Sequence, residues 1–273
     1  MPSTSRARAA LMVLVAAVFV LPLVFLALGS LRTPGLPPAP GLEVWPDPLR
    51  PQNYVDAARA VDLPRLFANS AAVALVAVPV TVLVASWAGF AATVGSRRTR
   101  RAVLGVALVA FTVPPAALWV PQVALLEQAG LTDRLPVVAF PALMATSAVF
   151  VLLFWLAYRR IPRSLYDAAA VEGLSGFRTW WTVAWPLGRS TTFAVAVLAF
   201  IWHWSNLVSP LLLLPREETW PVALGLRPLA SAEPTFYPLV LAACLLATAP
   251  VAVAFLLAQR TLFVDALGGR RAS

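Results

Sequence analysis

Arg97-Arg98-Thr99-Arg100-Arg101 is the stretch whose reading decides the fold. It lies between Leu66–Ser96 and Ala102–Leu126, two intervals without a single Asp, Glu, Lys or Arg. Roughly 20 helical residues cross a hydrocarbon core, and each interval is long enough. At membrane depth the backbone has to satisfy its own hydrogen bonds, which a helix does. The pair therefore reads as two membrane-spanning helices joined by a short basic turn, and such turns stay on the cytosolic side.

Working outward, four more intervals share the property: Ala9–Leu31, Leu135–Tyr158, Ser190–Pro215 and Pro234–Gln259. The expected fold is all-α: a polytopic membrane protein with six transmembrane helices, near 9–31, 70–95, 102–126, 135–158, 189–214 and 235–259. Residues 1–273 form one transmembrane domain in this reading. Composition agrees. Apolar residues make up 60% and charged residues 12%, about half the charge of a soluble domain. The alternating segments of a transmembrane barrel are missing. Ala9–Leu31 outruns the roughly 7–15-residue core of a signal peptide, and no small-x-small site follows before Arg32, so it reads as a retained first span.

Charge fixes the orientation. All 21 basic residues are arginine, and the net charge is +9. With both termini cytosolic, 14 of the 21 fall inside, in residues 1–8, 97–101, 159–189 and 260–271. That is the positive-inside bias. It also makes anionic membrane lipid an expected partner. A nucleic-acid patch is the competing reading of 97–101, but the loop is brief and flanked by membrane, so no nucleic acid is expected. Cys244, the single cysteine, lies in an apolar span and reads as a small core residue. His203 has no companion ligands for a metal; it either packs and hydrogen-bonds between helices or lines a translocation path. There is no G-x-x-x-x-G-K-[ST] phosphate loop and no nucleophile–base constellation. Neither an enzyme nor a cofactor in this chain is expected.

Proline punctuates the layout. The first outer loop, Arg32–Arg65, is proline-rich, with room for a short helix around Asn53–Val61. Pro114-Pro115, midway through the third span, is the strongest kink candidate. It serves either bent packing or a flexing point for a gate.

The longest polar interval in the C-terminal half runs from Ile161 to Leu187. Pro162 ends the fourth span. Ser164 and Asp167 suggest an imperfect capping box. Leu165, Ala169 and Glu172 fall on one helical face. Gly173 is placed to end the helix in the left-handed conformation, and Ser175 to cap a second helix. Trp180 and Trp181 suit the headgroup level, and Pro186 breaks the segment before the fifth span. Residue types alone fit two descriptions, a protruding docking knob or an ordinary interfacial helix.

Ile161-Pro162-Arg163-Ser164-Leu165-Tyr166-Asp167-Ala168-Ala169-Ala170-Val171-Glu172-Gly173-Leu174-Ser175 resembles the "EAA" loop of bacterial ABC importer permeases, in particular the maltose-type carbohydrate permeases. Asn69-Ser70 resembles the Asn-Ser pair that opens the second span in that family. Trp204 and Pro210 resemble its W-N-x-F-x-x-P-L segment, Trp220–Leu226 its outer P-V-G-L stretch, and Gln259–Val264 its C-terminal Q-R-x-F-V. The ordered set covers roughly residues 52–268. Asp167 stands for the family's Glu and Glu172 for its Asp, which keeps both charges. Trp185-Pro186 replaces Leu-Pro. Ser205-Asn206 replaces Asn followed by an acid, which removes a charge from the fifth span.

The resemblance implies a permease subunit of the bacterial cytoplasmic membrane, with a cytosolic coupling loop at 161–187 between spans four and five. In that loop Asp167, Ala168, Ala169, Glu172 and Gly173 would receive an ATPase. The implied partners are a second, homologous permease subunit, two cytosolic ATPase subunits that bind the ATP, and an extracytoplasmic solute-binding protein. A secondary transporter is the main rival, disfavoured because the spans hold no buried acid; a non-transporting membrane scaffold is a third class. The expected solute is a small uncharged sugar, with other solutes such as polyamines or amino acids as the alternative. Candidate path residues are Trp202, His203, Trp204 and Asn206, offering flat apolar rings and hydrogen-bonding groups. Trp202 and Trp204, two residues apart, cannot share one helical face.

Overall fold

The computed structural model describes residues 3–37, 45–140, 147–231 and 233–268, with backbone alone at 3–7, 9–10, 258 and 260–268. The described residues form helices and turns, with no strand among them. Among the described residues, three helices are long and apolar enough to cross a membrane: Leu11–Ser30, Leu63–Val94 and Pro234–Leu257. Two bent pairs raise the number to five if each is one span. The third expected span is the first such pair, Arg97–Thr112 and Pro115–Gln128, bent by 98°. The break has a simple cause. A residue before proline is driven out of the helical region, so Val113 and Pro114 are both extended, with ψ 122° and 127°. Pro115 then starts the next helix, where its missing N–H costs nothing.

The fourth expected span divides into a 3-10 turn at Leu135–Ala139 and the helix Ala148–Tyr158. Its middle, 141–146, lies outside the described residues. The fifth begins at Arg189 as expected and differs at its far end. Arg189–Trp204 is bent by 84° from the Gly176–Leu187 segment. It stops at Ser205, and a separate short helix, Val208–Leu213, follows. Asn206 explains the restart: its Oδ1 accepts the Ser209 N–H at 3.3 Å, a local bond that competes with continued helix.

Contacts divide the chain into two compact units, Met1–Leu66 with Gly225–Ala249, and Phe67–Leu224 with Pro250–Ser273. In the first, the helix Ser3–Ser30 ends on Asn53. The buried Asn53 Nδ2 donates to the carbonyls of Ser30 and Arg32 at 2.8 and 2.7 Å, satisfying groups that a helix end leaves open. Asn53 begins the helix Asn53–Ala60, the short helix that the proline-rich loop was expected to hold. Ala57, Ala242 and Ala243 form this unit's small-residue core, the side-chain size that lets membrane helices approach.

Among the described residues, the second unit holds two apolar clusters. One gathers Val73, Ala77, Leu126, Val138 and Leu213. The other joins Val82, Ala85 and Phe90 to Phe150, Phe154 and Tyr158, and to Trp180, Ala184, Val195 and Ala199. Gly89 permits a close approach of two helices in it: a Cβ there would lie 2.6 Å from Phe154 Cβ and 2.8 Å from the Trp155 nitrogen. This cluster is the floor on which the polar loop rests.

Candidate functional site: the coupling loop

The polar interval folds into a helix, Arg163–Val171, a glycine turn, and a second helical segment from Gly176. Pro162, not Ser164, occupies the N-cap position, and no side chain caps this end. The capping box expected of Ser164 and Asp167 is therefore absent. Pro162 is already extended, with ψ 134°, and it fixes the helix start one residue ahead of the serine.

The far end is a Schellman turn. The Gly173 N–H donates to Ala170 O at 3.1 Å, and the Leu174 N–H to Ala169 O at 3.0 Å. That pattern needs a left-handed residue after the C-cap, and Gly173 has φ +71°. A Cβ at this position would meet nothing within 4 Å. Glycine is required here by backbone conformation, not by crowding. Ser175 then caps the next helix, its Oγ accepting the Arg178 N–H at 3.4 Å.

Of the docking candidates, Ala169 is buried and anchors the helix from below, while Asp167, Ala168, Glu172 and Gly173 are exposed. Leu165 is also exposed, so the face it shares with Ala169 and Glu172 is not buried as a whole. Val171, at the tip, is 88% exposed. A protruding, small-residue tip with an acid at its corner rests on one buried alanine.

A hydrogen-bonded node lies under this tip. Trp180 Nε1 donates to Ser86 Oγ at 2.9 Å, and the Tyr158 hydroxyl lies 2.6 Å from the same oxygen. Tyr166, on the loop's first helix, donates its hydroxyl to the Tyr158 carbonyl at 3.1 Å. Burial, and secondarily Tyr158, pushes the Tyr166 phenol up to about 12, so it remains a neutral donor at working pH. Trp180 sits edge-on to Trp87 and Trp185, with ring centres at 5.3 and 5.2 Å. Trp180 is thus a core residue rather than a headgroup anchor, and Trp181 alone of the pair is exposed.

Pro186 does not end the segment. Trp180–Ala184 is a π-helical turn in which the Trp185 N–H reaches Trp180 O. The wider turn absorbs the proline's missing donor and keeps the chain helical. The break falls at Gly188, where a Cβ would come 2.5 Å from Tyr158 Cε1. Tyr158 therefore bears on both the loop and the start of the helix Arg189–Trp204.

The path candidates do not converge. Trp202 is 68% exposed and Trp204 7% exposed, the opposite orientations that their spacing requires. Trp204 packs edge-on against Phe67, with ring centres 5.6 Å apart. His203 is buried and its Nε2 lies 3.1 Å from Thr81 Oγ1; its Nδ1 has no partner among the described residues. Asn206 spends its side chain on Ser209, donating to the Ser209 Oγ at 3.0 Å as well as accepting its N–H. No group of three His, Cys, Asp or Glu among the described residues is placed to hold a metal ion.

Two stretches singled out separately in the sequence prove to be partners. Asn69 Nδ2 donates to the carbonyls of Glu218 and Trp220 at 2.8 and 3.0 Å, and Ser70 Oγ accepts the Val222 N–H at 2.8 Å. The Asn-Ser pair fastens the stretch from Glu218 to Val222. The pair lies about two turns into the helix Leu63–Val94.

The sequence matches, over residues 81–264, the family described as binding-protein-dependent transport system inner membrane component. The chain belongs to that family. The matched region takes in the Arg163–Leu187 segment, the Ser86–Tyr158–Trp180 node and His203. The chain is therefore a membrane component of a transport system rather than an enzyme. It is 35% identical over 208 residues, 76% of either chain, to the lactose transport system permease protein LacG of Rhizobium radiobacter. It is 27% identical over 224 residues, 82% of this chain and 81% of the relative, to a probable starch degradation products transport system permease protein, AmyC, of Thermoanaerobacterium thermosulfurigenes. The fold superposes with a TM-score of 0.72, covering 94% of this permease and 95% of the other chain, on a bacterial ABC transporter involved in the import of the acidic polysaccharide alginate, at 18% identity.

Proposed function

We propose that this permease is one membrane subunit of an ABC importer that carries a small sugar across the bacterial cytoplasmic membrane. The observation that carries the proposal is the match to a lactose permease across three quarters of both chains. The starch-product relative points to the same solute class.

In this reading the chain crosses the membrane six times with both termini cytosolic, and Asp167, Ala168, Ala169, Glu172 and Gly173 form the surface that receives an ATPase. The working complex contains a second, homologous permease, two ATPase subunits that bind the ATP, and an extracytoplasmic solute-binding protein. The chain itself carries no cofactor. ATPase closure moves the exposed tip. The Tyr166–Tyr158 and Trp180–Ser86–Tyr158 hydrogen bonds make the tip, the end of the fourth span and the second span one rigid body. Such a body switches between two packings rather than flexing. Trp202, with its exposed ring, faces the solute, and His203, Trp204 and Asn206 hold that part of the fifth span from behind.

The test is uptake by the reconstituted complex, with its binding protein, from a panel of labelled sugars, amino acids and polyamines. Saturable uptake of a sugar is expected. Transport of a charged solute with no sugar signal would refute the substrate class.

A further inference from the structure

Beside the coupling loop lies a cavity of about 940 Å³. Arg100, Arg159 and Arg163 line it, and Asp167 is its one acid. Val94, Leu104 and Trp155 supply apolar wall. Among the described residues no ion pair engages the three arginines; the pairs formed are Arg65–Asp62 and Arg216–Asp133. Two of the guanidiniums are held in place. The Arg159 Cζ sits 4.9 Å above the Trp155 ring, and Arg100 spends its Nε on the Ala92 carbonyl at 3.1 Å, which leaves its terminal nitrogens available. A planar guanidinium fork matches phosphate oxygens better than any other cationic side chain.

The cavity's flanks identify what brings the phosphate. The helix that carries Arg100 exposes Val106, Leu108, Val109 and Phe111 further along. The helix before Arg159 exposes Leu152 and Leu156. A basic mouth continues on both sides into apolar helix surface of the kind that faces lipid tails. A ligand with an anionic head and apolar tails satisfies both parts, whereas a free phosphate compound satisfies only the mouth.

We infer that this cavity seats the headgroup phosphate of an anionic phospholipid, between the ends of the second, third and fourth spans and the coupling loop. The lipid then forms part of the wall against which the loop moves. The inference needs a membrane protein but not a sugar carrier, so its failure would leave the importer reading standing.

The test uses the full complex in nanodiscs of phosphatidylcholine, with or without phosphatidylglycerol, and native mass spectrometry of lipid retained after detergent extraction. Wild type should retain phosphatidylglycerol. Each of Arg100→Gln, Arg159→Gln and Arg163→Gln should lower retention about fivefold, and the triple variant well over tenfold. Arg97→Gln with Arg98→Gln, in the same basic turn but outside the cavity, should leave retention unchanged. Asp167→Asn removes the opposing charge and should raise retention, which keeps the test informative if the triple variant does not assemble. Equal loss in the Arg97/Arg98 control would overturn the site in favour of diffuse surface attraction. Arginine-dependent binding of soluble glycerol phosphate without retained phosphatidylglycerol would overturn the lipid. No retention by wild type would overturn both.

Discussion

Replacing Gly173 separates two reasons for a glycine at the tip of the coupling loop. The residue has φ +71°, and a left-handed conformation costs a residue with a Cβ roughly 1–2 kcal/mol. Asn tolerates that region far better. There is no steric contribution, because a Cβ would meet nothing within 4 Å. If the turn alone matters, the damage follows backbone cost: Gly173→Asn is near wild type, while Gly173→Ala and Gly173→Trp lose similar amounts, about five- to thirtyfold in population of the correct tip. If the open space around Gly173 is where the ATPase seats, the damage follows size. Gly173→Ala then loses about fivefold in complex formation, Gly173→Asn more than its backbone cost explains, and Gly173→Trp all of it. The docking account expects the second order, measured as ATPase co-purified with the permease and as solute-stimulated ATP hydrolysis at matched membrane levels. A Gly173→Trp permease that retains its ATPase and transports at the wild-type rate would refute it.

Three further outcomes follow from the geometry. Ser86→Ala leaves the buried Trp180 N–H and Tyr158 hydroxyl without their shared partner, so it should cost about 1–3 kcal/mol. Tyr158→Phe leaves Ser86 Oγ in place to accept the Trp180 N–H and should cost less; thermal unfolding of the purified complex ranks the two, and the reverse order would discount the node. Asn69→Ala frees two carbonyls of the outer loop, and should raise proteolytic cleavage between residues 216 and 222 severalfold without moving the ATPase co-purification. Reporter fusions after Arg101 and after Arg271 should both report the cytosol, and an outside signal from either would break the six-span topology.

The parts of the fold that depend on neighbours in sequence were legible in advance. Charge-free intervals mark the apolar helices because charge is excluded from lipid whatever the tertiary contacts. Pro114-Pro115 marks a break because two successive prolines force extended backbone at Val113 and Pro114. Gly173 and Ser175 act through bonds within their own turns. What escaped depends on partners far along the chain. Trp180 looks like an interfacial tryptophan until Ser86, 94 residues away, supplies its acceptor. Pro186 looks like a helix stop until a π turn takes up the missing bond, and Gly188 becomes the break because of the Tyr158 ring. Asn69-Ser70 gives no local sign that it holds a loop about 150 residues downstream. The path candidates show the same limit: spacing separates Trp202 from Trp204, but nothing in it shows that Asn206 is committed to Ser209.

The most direct test of the account is uptake into proteoliposomes carrying this permease with its partner permease, its ATPases and its binding protein. The account predicts sugar accumulation only when ATP and the binding protein are both present, and none when a proton or sodium gradient replaces ATP. Uptake driven by an ion gradient, with the ATPases absent, would contradict it.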